Sequence, residues 1–486
     1  MEATDKQNHT ERSPNLTINH IPDEVLLEIF DSYRQVQDCF DQQWSEEYVW
    51  FNLAHVCRKW RAIMFTSVSR LDLGITVGPE KPGHIKTILS GHWPILVDYD
   101  YRCRDITGSA LWRMRAVLMH HHDHVRKIAF SGSRDNFDKF YKVTNYAFPL
   151  LESLAISFED GYEPIPDTFL RGLDLSDLHL RRLNFRLRGV ISLASISRFL
   201  LSATALTDLY LVLDNAAFSP SSGTTLLTCL RGMPCLRRLR VIINFPYFLD
   251  SPSQPSTTKD IVSLPKLTYL FYRGSSVLLD ALVAGLSAPC LRDVNIQFVG
   301  ANLPPIVHLP RFINEIEDRY YDIYVTFQGC LFHLSFLIHS EYTSHCHLDL
   351  SFGPGVRLSQ ETIMTLAGAL STRLVTVEEL RFIFRATDAI VWENFIPWRV
   401  FLQHFPNVKA LRTQGGNNDR IARIFLPDHQ GPRDVLAVLP SLEEIELDKN
   451  SLLTDESQRE PVLAAFEPFV SARQQAGRPV KVFFGL

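Results

Sequence analysis

The densest cluster of possible metal ligands in the chain comprises His120, His121, His122, Asp123 and His124. Imidazole nitrogens and carboxylate oxygens are common zinc ligands. Adjacent residues of a helix point in different directions, so only His120 and His124, four positions apart, could share one helix face. Because structural zinc sites use four ligands and catalytic sites three, we expect a polar helix end before a strand at Val125, and no metal.

The sequence lacks the signatures of the common catalytic sites. It has no phosphate-binding loop, no Gly-x-Ser-x-Gly nucleophile motif and no dinucleotide-binding glycine pattern. Its eight cysteines form no CxxC pair, which is typical of reduced thiols in an intracellular protein. We therefore expect a binding protein that is not an enzyme and needs no cofactor.

Length and composition limit the classes of protein to which the chain can belong. The chain has 486 residues, of which 46% are hydrophobic and 21% charged, and its net charge is −5. Such a chain is long enough for several domains or one long repeat array, and it has no basic field for nucleic acid. No apolar run is long enough to cross a membrane. Residues 1–17 are polar and lack the apolar part of a secretory signal, so we expect a disordered tail and an intracellular location, in the cytoplasm, the nucleus or both.

From residue 68 onward the pattern apolar-x-x-apolar-x-apolar recurs about every 29 residues. Three consecutive copies are Leu206/Leu209/Leu211, Leu236/Leu239/Val241 and Leu267/Leu270/Tyr272. Helical segments such as 224–230 lie between the copies, and a proline turn often precedes a copy of the pattern. The pattern resembles irregular leucine-rich repeats, which implies an α/β solenoid with parallel strands inside and helices outside. The alternative is a generic α/β domain with many short strands.

In such a solenoid the residues between the apolar strand positions face away from the core. In the middle copies these positions combine arginines with aromatic residues, which are the usual anchors of protein interfaces. The candidate substrate-binding residues are Arg182, Asn184, Tyr210, Arg238, Arg240, Tyr269 and Phe271. Arginines suit an acidic or phosphorylated peptide. The alternative is a solvated basic strip that is balanced by Glu443, Glu444 and Glu446.

A short segment near the N-terminus, residues 21–30, predicts a helix with two apolar stripes. Pro22 suits the first helical turn, where its missing N–H costs nothing. Val25 and Ile29 form one i,i+4 pair, and Leu26 and Phe30 form another. A helix this short cannot bury both stripes against one neighbour. We expect one stripe to pack inside a small module and the other to face a partner.

A second segment, residues 53–64, shows apolar residues at helical spacing. Together the segments resemble the F-box, with its Ile/Leu-Pro-x-Glu-Val/Leu-Leu-x-x-Ile-Phe opening and its Leu-x-x-Val-Cys-Arg-x-Trp close. The connection between them, residues 31–49, is about ten residues longer than the family's usual one. In this respect the chain is similar to the F-box-like proteins of mushroom-forming fungi.

The resemblance implies an F-box-like domain over residues 18–66 and a repeat domain over residues 67–486. The first would dock on a Skp adaptor, and through it on cullin, while the second would capture an unknown protein substrate for ubiquitin transfer. The implied adaptor contacts are Ile21, Pro22, Leu26, Leu27, Ile29, Phe30, Leu53, Val56, Cys57 and Trp60. Trp60 in particular could belong to the module's core instead. Two alternatives are a scaffold that binds the adaptor alone and an enzyme, such as a hydrolase, that the F-box regulates.

Overall fold

The structure is a computed structural model that divides into two compact units, residues 1–130 with 138–151 and residues 131–137 with 152–486. The residues it describes are 20–38, 53, 55–67, 75–77, 94–100, 108–143, 148–158, 179–188, 193–214, 222–244, 261–298, 307–315, 322–328, 331–337, 347–352, 367–368, 370–371, 374–384, 396–414, 418–425, 436–448 and 459–485. The tail and the domain boundaries expected from the sequence stay predictions.

The first unit starts with two helices. The elements up to residue 143 are α1 (Asp23–Asp38), α2 (Arg58–Thr66), β1 (Ile75–Val77), β2 (Ile95–Asp100), α3 (Gly108–His121), a 3-10 turn (His122–His124), β3 (Val125–Gly132) and α4 (Arg134–Val143). β1 and β2 pair in parallel. The buried Tyr99 ring stacks on Phe130, with ring centroids 5.1 Å apart, and Phe140 packs against both rings. These aromatic contacts pack β2, β3 and α4 together.

The histidine segment is divided between α3 and the 3-10 turn. Because α3 ends at His121, His120 and His124 do not share a face of one α-helix. Burial lowers the pKa of His121, and the neighbouring His124 lowers this pKa further. Among the described residues, no group of three His, Cys, Asp or Glu side chains could hold a metal ion.

The second unit alternates strands with helices. Its strands are β4 (Ser153–Phe158), β5 (Arg182–Arg188), β6 (Asp208–Asp214), β7 (Arg238–Asn244), β8 (Val262–Ser263), β9 (Tyr269–Gly274), β10 (Leu286–Ser287), β11 (Asp293–Phe298), β12 (Asp322–Gln328), β13 (Leu331–Leu337), β14 (His347–Phe352), β15 (Glu379–Phe384), β16 (Ala410–Gln414), β17 (Glu444–Leu447) and β18 (Lys481–Phe484). The described helices are α5 (Leu193–Ser202), α6 (Ser222–Arg231), α7 (Ser276–Ala284), α8 (Leu309–Asn314), α9 (Ile396–Leu402), α10 (Asn418–Phe425) and α11 (Arg459–Gln475).

Neighbouring strands of this unit follow the chain over most of its length. The order is β4-β5-β6-β7-β9-β11-β14-β13-β12-β15-β16-β17-β18, and β8 pairs with β10 separately. The pairs from β4 to β11 and from β15 to β18 are parallel. Consecutive helices α5, α6 and α7 also contact one another. The fold is mixed α/β and solenoid-like, and this confirms the fold class expected from the sequence.

The array is interrupted at β12–β14. β13 pairs antiparallel with both β12 and β14, while β14 pairs with β11 and β12 with β15 in parallel. Only Gly329 and Cys330 separate β12 from β13. A parallel pair needs a crossover of a dozen or more residues, whereas two residues suffice for an antiparallel hairpin. The short connection therefore reverses the chain, and the sequence interpretation missed β13.

The apolar repeat positions form one continuous core row. Leu183, Leu209, Leu239 and Leu270 stand opposite one another on successive strands, and each is almost fully buried. Since side chains alternate between the two faces of a strand, the intervening residues project from the opposite face. The repeat pattern therefore determines which residues line the candidate substrate-binding face.

Proline turns start many of the strands. In the segment before β7, the N–H of Leu236 donates to the carbonyl of Met233 at 3.1 Å, with Pro234 between them. The same bond joins Leu267 to Leu264 before β9, at 3.2 Å. Proline at the second position of a turn has its φ already set for it, so the chain enters each of these strands at a defined point.

Candidate functional site

The two N-terminal helices form a small module with its own apolar core. Its buried residues are Leu26, Leu27, Phe30, Ile63 and Met64, and Ile21, Leu53 and Trp60 pack against them while partly exposed. The Trp60 ring meets Phe30 edge to face, with centroids 4.8 Å apart. Each fully buried side chain of this size contributes roughly 1.5–3 kcal/mol, so this cluster stabilises the pairing of α1 with α2.

Polar contacts define how α2 begins and how it is held to the start of α1. The Cys57 sulfur caps α2 by accepting a hydrogen bond from the backbone N–H of Trp60 at 3.4 Å. The Lys59 ammonium donates to the carbonyl of Ile21 at 2.6 Å and pairs with Asp23 at 3.1 Å. The Cys-Arg-x-Trp sequence thus has a physical role: the cysteine starts the helix, and the tryptophan turns inward.

The module also keeps large apolar side chains at its surface. Val25 and Ile29, one turn apart on α1, are 46% and 43% exposed, and Val56 is 52% exposed. We call Val25 and Ile29 the exposed stripe of α1. The other stripe, Leu26 and Phe30, fills the core. A helix whose core side is already filled leaves the exposed stripe available for a partner.

The implied adaptor contacts therefore fall into separate groups. Leu26, Leu27 and Phe30 lie in the core, where little of their surface is left for another protein. The second group, which is exposed, comprises Pro22, Ile29 and Val56. The third group, which is partly buried, comprises Ile21, Leu53, Cys57 and Trp60. Val25 was not among the implied contacts, although its i,i+4 pairing with Ile29 was visible in the sequence. The middle of the module, residues 39–52, lies outside the described residues.

The candidate substrate-binding residues come together on the outward face of β5–β9. One row across the strands comprises Arg182, Asp208, Arg238 and Tyr269, and the next row comprises Asn184, Tyr210, Arg240 and Phe271. All the residues expected from the sequence lie in these two adjacent rows. Substrate binding by them stays a prediction.

Arg240 lies between two aromatic rings. Its guanidinium carbon is 4.8 Å from the centroid of the Tyr210 ring and 4.4 Å from that of Phe271. Cations are attracted to aromatic faces at such distances, so the two rings hold the side chain in place. Arg238, in contrast, forms an ion pair with Asp208, whose second oxygen accepts a hydrogen bond from the Thr207 hydroxyl at 2.7 Å.

The same face contains an apolar cluster that the sequence interpretation missed. Val212, Ile242 and Phe271 are only 3%, 8% and 7% exposed, and Tyr210 and Tyr269 pack against them. We call the group of Tyr210, Val212, Arg240, Ile242, Tyr269 and Phe271 the aromatic face. Its partly exposed members, Tyr210, Arg240 and Tyr269, combine rings with a guanidinium, which is typical of protein-binding surfaces. The buried Val212, Ile242 and Phe271 hold the two tyrosines in place and have little surface of their own for a partner.

The outward face of β15–β17 is built from charges. Glu379 pairs with Arg381 and, at 3.1 Å, with Arg412, which also pairs with Glu446 at 3.3 Å. We call these four residues the ion-pair ladder. Beside it Lys409 pairs with Glu378 at 3.0 Å. Glu446 therefore neutralises an arginine of its own ladder.

Residues 18–69 match the protein-family model described as F-box-like. No curated protein matches the chain. Among solved structures, the Rad7 and Elc1 complex in yeast is similar at 12% sequence identity, over 90% of this chain and 91% of that chain, with a TM-score of 0.32. A similarity of this low extent says nothing about function.

The F-box-like region contains every side chain of the module's core and the exposed stripe of α1. The fungal relationship and the leucine-rich-repeat assignment stay predictions. Within the described residues, no helix is both long and apolar enough to span a membrane.

Proposed function

We propose that the protein is the substrate-recognition subunit of a Skp–cullin–F-box ubiquitin ligase. In this proposal the F-box-like region docks on a Skp adaptor, and the second unit, as an irregular leucine-rich-repeat domain, captures a protein substrate. The observation that carries it is an F-box-like region whose core is filled while apolar side chains stay exposed on the same helix. Such a surface supports a binding role.

The exposed stripe of α1 is the part of the module best suited to direct contact. Full burial of a valine or isoleucine side chain contributes roughly 1.5–3 kcal/mol, and Val25 and Ile29 are each nearly half exposed. Leu26 and Phe30 act indirectly, because they hold α1 against α2. Substitution of these core residues by aspartate would unfold the module and could not separate binding from stability.

Co-purification with a Skp adaptor tests the docking step. We expect the wild type to bind and Val25→Asp/Ile29→Asp to lose the adaptor, because two charges would have to be desolvated at the interface. A matched control is Val277→Asp/Val375→Asp, which places the same charges at exposed valines outside the F-box-like region. Circular dichroism checks that all variants are folded. A folded wild type that binds no adaptor, or a stripe variant that still binds, contradicts the proposed docking.

Cullin in the purified complex distinguishes a ligase subunit from a scaffold. A complex that contains adaptor and cullin supports the ligase role. A stable complex that contains the adaptor but excludes cullin supports a non-ligase F-box scaffold instead.

The aromatic face is the surface we assign to the substrate. Tyr210 and Tyr269 flank buried aliphatic side chains, and Arg240 is fixed between rings. Tyr210→Ala/Tyr269→Ala should abolish the capture of substrate proteins and leave adaptor binding unchanged, as quantitative mass spectrometry of purified complexes would show. Arg412→Ala, on the ion-pair ladder, is the control. Equal capture by wild type and tyrosine variant would exclude this face as the substrate site.

A further inference from the structure

A row of arginines runs along the edge where β5, β7 and β11 begin. The residues immediately before β5, β6, β7, β9 and β11 are Arg181, Thr207, Arg237, Thr268 and Arg292. Arginine and threonine therefore alternate along this edge. Arg181, Arg237 and Arg292 are all exposed, and we call them the basic rim.

Backbone hydrogen bonds hold the rim in register. The Arg181 carbonyl accepts the N–H groups of Thr207 and Asp208, at 2.8 and 3.0 Å. The Arg237 carbonyl accepts those of Thr268 and Tyr269, at 2.9 and 3.1 Å. The Thr268 hydroxyl donates back to the Arg237 carbonyl at 3.2 Å, whereas the one proton of the Thr207 hydroxyl is shared between the Arg181 carbonyl at 3.0 Å and the Asp208 carboxylate at 2.7 Å. The rim residues thus have fixed backbone positions, and the threonines between them use their hydroxyls internally.

The rim differs from the equivalent edge of β15–β17 in its ion pairs. In the part of the chain that the structure describes, no carboxylate forms an ion pair with Arg181, Arg237 or Arg292. The nearby Asp208 is paired with Arg238. The equivalent edge before β15, β16 and β17 reads Glu378, Lys409 and Glu443, and there Lys409 pairs with Glu378. Lys409 is thus paired on its own edge, whereas the three rim arginines have no such partner among the described residues, and the acidic residue of their edge, Glu152, stands before β4.

The spacing of the rim fits an extended peptide. Neighbouring strands lie about 4.8 Å apart, so arginines on alternate strands lie about 10 Å apart. A ligand in the extended polyproline-II conformation advances about 3.1 Å per residue with three residues per turn, so every third side chain points the same way about 9 Å further on. Carboxylates at every third residue of such a ligand would meet successive rim arginines.

We propose that the basic rim binds an extended acidic segment of a protein, which runs across the strands with carboxylates spaced three residues apart. This inference rests on the proposed substrate-receptor function and names the class of segment recognised. A protein ligand is favoured over nucleic acid because the chain as a whole carries a net charge of −5.

Fluorescence anisotropy with the full-length protein tests the spacing. The probe is a labelled peptide of about ten residues with glutamate at every third position, and the comparison peptide has the same composition with its glutamates in one block. We expect the spaced peptide to bind about tenfold more tightly, and Arg181→Gln/Arg237→Gln/Arg292→Gln to remove that advantage. The charge-matched control Arg115→Gln/Lys139→Gln/Arg423→Gln changes exposed residues elsewhere and should bind as the wild type does.

Three outcomes would overturn the inference: equal affinity for both peptides, an unaffected rim variant, or tighter binding of a single-stranded oligonucleotide than of the spaced peptide. These results are separable from failure of the proposed function. If tyrosine-dependent substrate capture and adaptor binding persist while the spaced peptide fails, only the rim proposal is lost. If capture and adaptor binding also fail, the receptor function is lost with it.

Discussion

The outward faces of β5–β9 and of β15–β17 use the same parallel register but are stabilised differently. On β5–β9, Val212, Ile242 and Phe271 are buried and Arg240 lies between two rings. On β15–β17, Glu379, Arg412 and Glu446 form consecutive ion pairs. Burial of apolar area is worth far more than ion pairs that keep part of their surface in water. The repeat therefore determines the residues of the inward face. The outward face is not constrained by it and can carry either apolar and aromatic residues, as on β5–β9, or charges that pair with one another, as on β15–β17.

The largest difference should appear when one side chain is truncated on each face. Phe271→Ala should lower the free energy of unfolding by about 3 kcal/mol, because it opens a cavity in a buried cluster. Arg412→Ala should cost under about 1 kcal/mol, since Arg412 is itself 42% exposed and Glu379 keeps Arg381 as a partner. Urea denaturation measures both. Equal losses would mean that the two faces do not differ as described.

A glycine on the inward side of β9 and a glycine beside the ion-pair ladder provide the second comparison. A Cβ at Gly274 would lie 2.7 Å from the Tyr272 hydroxyl oxygen, and that buried hydroxyl is held by the Ser275 carbonyl at 2.7 Å. A Cβ at Gly485 would instead meet the carboxylate of Glu446, which can move into solvent. Gly274→Ala should therefore cost about 2 kcal/mol and Gly485→Ala under about 1 kcal/mol.

Thermal unfolding of both glycine variants checks this prediction. Gly368→Ala is the control, because a Cβ there has open space around it and the residue is helical. It should be neutral or slightly stabilising. A Gly274 variant as stable as the Gly485 variant would show that Tyr272 is free to shift.

Arg240 offers a test of the cation–aromatic contact. A double-mutant cycle of Arg240→Ala with Tyr210→Leu should give a coupling of about 1 kcal/mol, because the contact is packed in a partly buried cluster. The coupling should persist in about 0.5 M sodium chloride, since screening acts mainly on exposed charges. A coupling near zero would mean that Arg240 lies next to the Tyr210 ring without a stabilising interaction between them.

The smallest effect belongs to the ion-pair ladder. A cycle of Arg412→Ala with Glu446→Ala should give a coupling of about 0.5 kcal/mol or less at low salt, which falls further as salt is added. Chemical denaturation at two ionic strengths measures it. A salt-independent coupling as large as that of Arg240 would remove the distinction between the faces.

The register of the sheet could be predicted because its inward positions are so similar. Leu209, Leu239 and Leu270 occupy equivalent places in successive repeats, and the structure pairs them directly. Once they are aligned, the outward rows follow from the alternation of side chains. For this reason the sequence alone predicts which residues lie next to Arg240 on the sheet.

The alternation of apolar and polar residues along the strands does not predict that side chains on the outward face are buried. Alternation treats only one face of each strand as buried and therefore predicts an exposed position for Val212 and Ile242. A signal was nevertheless present: residues 211–213 and 241–243 are continuous apolar runs, which are typical of strands buried on both faces. The hairpin had a signal as well, since a two-residue connection with glycine first favours a tight turn.

The N-terminal module shows a different limit. Its two apolar stripes were visible in the sequence, but the spacing of Val25, Leu26, Ile29 and Phe30 alone could not say which stripe faces inward. The choice depends on Ile63, Met64 and Trp60 of α2, which complete the core on one side only. Contacts between α1 and α2 therefore decide which stripe of α1 is buried, and the local periodicity of α1 carries no information about those contacts.

The reversed strand has a consequence for the order in which the chain can assemble during synthesis. From β4 to β11 each new strand of the main sheet pairs with the one before it, so the sheet can grow as residues are made. At β12 this growth stops, because the strand that pairs with β11 is β14. β12 and β13 must wait as a hairpin until residues 347–352 are available, and only then can the three strands join together. The open edge of β11 is exposed throughout that interval, which makes it the point where a nascent chain would most need protection from aggregation.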